Sequence, residues 1–174
     1  YNVVKHDDYY SVKDNYKLIP LDLNCIDSRR SLLERFTRPE AFNIWISECV
    51  LCYLEREAAD TVLRFASTIP NSYFILYEQL VSLPYDPFTN CMLAHFVKSN
   101  SPLLSSTTVN GCEAQIKRFH NCGFASAKVT FMSEYLYNLC PAEESNKVLE
   151  VQPFDEWEEL DLFLSHYAIV CADN

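Results

Sequence analysis

The chain has 174 residues, enough for one domain with a core of its own. Hydrophobic residues make up 49% and charged residues 22%, which excludes a disordered chain. The net charge of −10, from 14 basic and 24 acidic side chains, argues against a broad phosphate-binding surface on this segment, while leaving room for a nucleic acid held by another part of a longer protein.

Residues Tyr1–Lys17 are polar and tyrosine-rich with no clear period, and Leu18–Leu23 reads as a short strand ending in Asp22-Leu23-Asn24. A charged stretch, Ser28–Pro39, contains a helix over Arg29–Phe36. Ile44–Leu51 is an apolar run of strand length. Glu55–Ile69 then places Ala59, Val62, Leu63 and Ala66 on one helical face, with Glu55 and Glu57 at the positive end of the helix dipole. Pro70-Asn71-Ser72 breaks that helix before strand Tyr73–Glu78. This strand–helix–strand unit implies a crossover connection and parallel pairing.

Pro87–Val97 carries Phe88, Cys91, Met92 and Phe96 near helical spacing, and Asn100–Thr108 is a Ser/Thr/Pro loop. Gly111–Cys122 reads as a helix with Cys112, Gln115, Ile116 and Phe119 on one face, closed by Gly123 as its C-terminal cap. Strand Ala125–Phe131 follows, then a short helix Ser133–Leu139 and Pro141 at a first helical position. Asp155 and Glu158 resemble a capping box for a helix reaching Ser165, and His166–Ala172 is the last strand.

No apolar run reaches the ~20 residues that cross a bilayer, and no secretory leader opens the chain, so no membrane partner and a cytoplasmic location are expected. Most of the eight cysteines, among them Cys49, Cys91, Cys122 and Cys171, lie in apolar periodic segments and fit buried free thiols. The chain opens on Tyr1 rather than methionine, so a piece of a larger protein is expected.

Cys49-x-x-Cys52 has redox or half-zinc spacing, but it sits at a strand rather than a helix N-terminus, and no second pair completes a zinc site. Packing is the simpler reading. The four histidines are never paired at ligand spacing, and no metal is expected. Two glycines in the whole chain can build neither a nucleophile elbow nor a Walker loop. The acidic run Asp155–Asp161 reads as a solvated helix face. Asp22 and Glu48 remain, each ending or interrupting an apolar strand. A buried carboxylate needs a partner, and open α/β sheets bind ligands at the strands' carboxyl ends. Both acids could therefore point into one crevice holding a nucleotide-like cofactor.

Four separated stretches resemble the leucine carboxyl methyltransferase family of class I enzymes that use S-adenosyl-L-methionine. They are Leu21-Asp22-Leu23, Ser47-Glu48-Cys49-Val50-Leu51 with Tyr53, Tyr77-Glu78-Gln79, and Asp155-Glu156 with His166-Tyr167. The likeness runs from about Leu18 to the end. His95-Phe96, Asn100-Ser101-Pro102-Leu103, Pro141-Ala142-Glu143-Glu144 and Pro153-Phe154-Asp155-Glu156-Trp157-Glu158-Glu159 resemble the branch that acts in wybutosine synthesis on phenylalanine tRNA. They resemble less the branch that methylates the C-terminal leucine of the protein phosphatase 2A catalytic subunit.

The resemblance implies that Asp22 and Leu23 contact the cofactor's adenine edge and that Glu48 lies beside the cofactor. It implies that Tyr53, Tyr77, Glu78 and Gln79 line the pocket. It also implies an α/β fold: the C-terminal part of a class I, Rossmann-like methyltransferase domain, with a mixed sheet and an antiparallel last strand. The family's glycine-rich first motif, its ribose-binding acid and its N-terminal arginine and lysine are missing. Residues 1–174 are thus expected to be the C-terminal portion of one methyltransferase domain without its first two strands, leaving one strand edge bare. The functions this leaves are carboxyl methylation of tRNA, carboxyl methylation of the phosphatase, or a silent fragment or paralogue that only binds partners. Arg29, Arg30, Arg35 and Arg38 are local candidates to hold a substrate carboxylate.

Overall fold

Three short strands, β1 (Val3–Lys5), β2 (Tyr10–Val12) and β3 (Tyr16–Leu18), form an antiparallel meander at the start of the chain. The computed structural model describes residues 3–13, 15–151, 153 and 155–174; Phe154 of the acidic motif lies outside them. Strands of three residues, none of them buried, give no alternation to read, which is why the segment shows no period. The expected strand Leu18–Leu23 is corrected. Of that stretch only Leu18 belongs to a strand, and Leu23–Arg29 forms a 3-10 helix whose N-cap is Asp22. Asp-Leu-Asn before a helical turn is a cap signal, and it outweighs the apolar content of Leu18–Leu23.

Helix α1 (Arg30–Glu34) leads to β4 (Asn43–Glu48), and a 3-10 turn Leu51–Tyr53 leads to α2 (Arg56–Ser67) and β5 (Ser72–Gln79). These realise the expected strand–helix–strand unit: β4 and β5 pair in parallel, Asn43 opposite Ser72 and Glu48 opposite Tyr77. Helix α3 (Pro87–Lys98) starts with proline at its first turn and is capped by Asp86, whose carboxylate accepts the Thr89 N–H. Helix α4 (Gly111–Asn121) precedes β6 (Ser126–Phe131). A helical excursion follows: α5 (Met132–Glu134), a π-helical turn Tyr135–Leu139, α6 (Ala142–Val151) and α7 (Trp157–Leu164), before β7 (Tyr167–Asp173). Helix α7 begins at Trp157 with no side-chain cap, so the capping box from Asp155 does not form. Acids at 155, 156, 158 and 159 make neighbouring cap registers look alike in sequence.

The main sheet runs β4-β5-β7-β6, with β7 antiparallel to both neighbours. A mixed sheet with an antiparallel last strand is the expected α/β class. One sheet face carries the core: Phe74 and Leu76 of β5 and Val170 and Ala172 of β7 meet Ala59, Leu63 and Ala66 of α2 and Phe119 of α4. Each large apolar side chain so buried contributes about 1.5–3 kcal/mol. Helix α4 ends in a Schellman motif at Gly123 (φ +101°), with Phe124 N–H reaching Phe119 O, Gly123 N–H reaching His120 O, and the Phe119 and Phe124 rings in contact.

The other face is open at β4, where Ile44 and Ile46 are 58% and 72% exposed. Among the described residues β4 pairs only with β5, so its outer edge is bare. No disulfide forms, but the thiols are less buried than expected: Cys52 and Cys122 are buried, whereas Cys25 and Cys91 are exposed. No helix among the described residues is long and apolar enough to cross a membrane.

Candidate functional site

Polar residues gather where β4 and β5 end. The last ladder bond of β4 is Cys49 N–H to Tyr77 O at 2.8 Å, made with Cys49 in the left-handed region (φ +49°). That backbone reversal turns the chain into Leu51–Tyr53. Two side chains clamp this turn. Glu78 Oε1 accepts the Cys52 N–H at 2.6 Å, and Ser105 Oγ donates to Leu51 O at 2.8 Å. Glu78 is only 3% exposed, and its Oε2 has no hydrogen-bond partner. Burial pushes its carboxyl up to about 7, against the nearby Arg118 charge and the N–H groups of Cys52 and Leu51.

Register places Gln79 opposite Tyr167. Gln79 Nε2 donates to Tyr167 Oη at 3.0 Å, and Tyr167 stacks on Tyr77 with centroids 5.5 Å apart. Tyr53 meets Phe96 edge-on at 6.1 Å. The structure therefore brings Tyr77, Glu78 and Gln79 together with Cys49, Cys52 and Tyr167. Burial, and then the neighbouring Cys49, Tyr167 and Glu48 groups, hold the Tyr77 phenol protonated. Burial first, and then Glu78, raise both Cys49 and Cys52, so neither thiol is poised as a thiolate and the redox reading of Cys-x-x-Cys falls.

Glu48 ends β4 exposed to solvent, correcting the expectation of a buried carboxylate there; the buried one is Glu78. Alternation puts Glu48 on the open face with Ile44 and Ile46, while Trp45 turns to α2 and meets Phe65 at 5.7 Å. Asp22 is exposed, and its Oδ1 accepts from the backbone and side-chain N–H groups of Asn24. Leu23 begins the 3-10 helix, and the flanking Leu21 and Ile26 pack with Phe65, Ile69 and Trp45. Asp22 caps the 3-10 helix and Glu48 ends β4, and among the described residues no hydrogen bond joins the two. Among the arginine candidates, Arg30 pairs with Asp27 and Arg35 with Asp8.

Sequence reasoning missed Arg118, which is 1% exposed and pairs with Asp60 at 2.6 Å, while Asp60 also holds Arg56 at 2.8 Å. The Arg56–Asp60 spacing of four on α2 was a usable signal; an arginine on the apolar face of α4 offered none. Among the described residues no group of three His, Cys, Asp or Glu side chains could hold a metal.

The sequence profile of the leucine carboxyl methyltransferase family matches residues 6–67. The tRNA wybutosine-synthesizing protein 4 of Candida glabrata is 37% identical over 166 residues, 94% of this chain. The chain is similar to the leucine carboxyl methyltransferase family over residues 6–67 and to a tRNA wybutosine-synthesizing protein 4 over most of its length. The Homo sapiens tRNA wybutosine-synthesizing protein 4 is 39% identical over 130 residues, 74% of this chain. The chain covers 24% of the Candida glabrata relative and 19% of the human one, about a quarter of their length or less. Among solved structures, PigF with SAH matches at TM-score 0.45 and 12% identity, over 75% of this chain and 30% of that one.

Proposed function

We propose that this chain is the C-terminal portion of a single methyltransferase domain. Its full-length protein would use S-adenosyl-L-methionine to methylate a carboxylate on a modified guanosine of phenylalanine tRNA, in wybutosine synthesis and in the cytoplasm. The observation that carries this is the 37% identity to a tRNA wybutosine-synthesizing protein 4 across 94% of the chain. The bare edge of β4 and the open face bearing Ile44 and Ile46 support the reading that further strands complete the sheet.

The residues present fit such a cofactor. Among the described residues the exposed Glu48 side chain makes no hydrogen bond. A free acceptor at a strand's carboxyl end suits a ligand rich in O–H and N–H donors. Asp22, Leu23 and Glu48 would hold the adenosyl group, and Tyr53, Tyr77, Glu78 and Gln79 would wall the pocket. The bound cofactor supplies an electrophilic methyl group on a sulfonium centre. A substrate carboxylate is already ionised near neutral pH, so none of this chain's residues need act as a general base. Their work is positioning and exclusion of water, and the Tyr77–Tyr167 stack and the clamped turn Leu51–Tyr53 are rigid parts suited to it.

The test is to give the full-length protein methyl-labelled cofactor with two acceptors. One is phenylalanine tRNA bearing the carboxylate precursor; the other is a leucine-terminated phosphatase tail. Label in the tRNA is expected. Label only in the tail would replace this substrate with the other, and label in neither would leave a binding module.

A further inference from the structure

A cleft of about 420 Å³ lies beside the carboxyl-end cluster, lined by Phe88, Met92, His95 and Phe96 of α3, Phe163 of α7 and Tyr167 of β7. That is within the size range of small-molecule sites. Five of its seven lining residues, drawn from three separate elements, carry aromatic rings; the other two are Cys91 and Met92. Several of the rings are fixed by contacts behind them. Phe88 meets Phe163 edge-on at 5.3 Å and His166 at 4.3 Å. His166 is itself held between Leu162 O, 2.7 Å from Nδ1, and Asp86, 3.1 Å from Nε2. Tyr167 is held by the Tyr77 stack and by Gln79. Rings ordered in advance lose little freedom when a flat ligand slides between them.

The cleft is continuous with the candidate site. Tyr167 belongs to both, and Phe96 touches Tyr53. The chain's net charge of −10 opposes a phosphate backbone but not an uncharged base face, and base–aromatic stacking is the usual way to hold an unpaired base.

We propose that this cleft receives the flat base of the guanosine-derived substrate, stacked against α3 and Tyr167, which sets its carboxylate-bearing arm toward the carboxyl ends of β4 and β5. The inference rests on the tRNA reading above. A leucine-terminated peptide is the competing occupant, and it would need an apolar wall but no π face.

The experiment measures kcat, KM for phenylalanine tRNA and cofactor affinity in the full-length protein, for wild type and for Phe88→Leu, Phe163→Leu and Phe88→Tyr. Phe163 is 51% exposed, so its variant tests the cleft without threatening the fold. Each leucine variant is expected to raise KM about tenfold, the scale of one lost base stack, with kcat within about threefold and cofactor affinity unchanged. Phe88→Tyr should restore KM. Unchanged KM in Phe163→Leu, or leucine serving as well as tyrosine at position 88, would overturn the base site while leaving the tRNA activity intact. Wild-type protein that methylates the peptide and not the tRNA would instead remove the reading beneath it.

Discussion

Glu78→Gln isolates the buried carboxylate that organises the candidate site. Its folded-state pKa is raised from 4.5 to about 7, chiefly by burial. Between those values the folded chain holds a proton that the unfolded chain releases, so this group's contribution to stability falls as pH rises through the window and levels off above it. At about 1.4 kcal/mol per unit, the loss across the window is about 3 kcal/mol. Glutamine keeps an oxygen to accept the Cys52 N–H and cannot ionise. Urea unfolding of both chains at steps from pH 5 to pH 8 should therefore show the variant gaining on wild type by about 3 kcal/mol toward the alkaline end. Carbon-13 NMR of labelled glutamate should show one carboxyl titrating near pH 7 in wild type and missing from the variant. Parallel stability curves, or no such resonance, would refute the assignment of Glu78 as a buried, high-pKa acid.

Arg118→Met removes one partner of the buried Asp60 pair and should cost about 3 kcal/mol in urea unfolding at neutral pH. Because Arg118 also pulls Glu78 downward, the Glu78 carboxyl resonance should titrate at higher pH in this variant; an unmoved resonance would disconnect the two groups. Gly123→Ala forces a side chain into φ +101° and sets its Cβ 2.8 Å from Ser67 Oγ, which is anchored on Arg64 O and Cys122 O. A loss of about 2 kcal/mol is expected in the same assay. Adding Ser67→Ala should recover the clash but not the backbone strain; full recovery would mean the left-handed conformation costs nothing there.

What could be read in advance followed from periodicity and punctuation. Helix α2 and strand β5 are bounded by Pro70-Asn71, and the face bearing Ala59, Leu63 and Ala66 is buried as its spacing demanded. Gly123 announced a helix end because few other residues take that backbone conformation. The last strand was legible as the apolar run His166–Ala172, and it forms over Tyr167–Asp173. The meander β1–β3 was hidden because its strands are too short to alternate. Asp22 was misplaced on a strand because an apolar neighbourhood outweighed its capping chemistry.

The choice between Glu48 and Glu78 as the buried acid was lost for a different reason. Each follows an apolar strand run, and only the pairing partners of that strand decide which face is covered. Beside Glu48 lies the open face; Glu78 sits on the central strand, under the turn that it caps. Arg118 was invisible because a buried cation is specified by its partner on another helix, not by its own neighbours in the chain.

The most direct test of the account is the affinity of the full-length protein for S-adenosyl-L-methionine, by calorimetry, in wild type, Glu48→Ala and Glu150→Ala. Glu150 is an exposed acid on α6 and serves as the charge control. Wild type and Glu150→Ala should bind alike, and Glu48→Ala about tenfold or more weakly, as expected on losing a charged acceptor from the ligand. Equal affinity in all three would contradict the claim that the carboxyl end of β4 holds the cofactor.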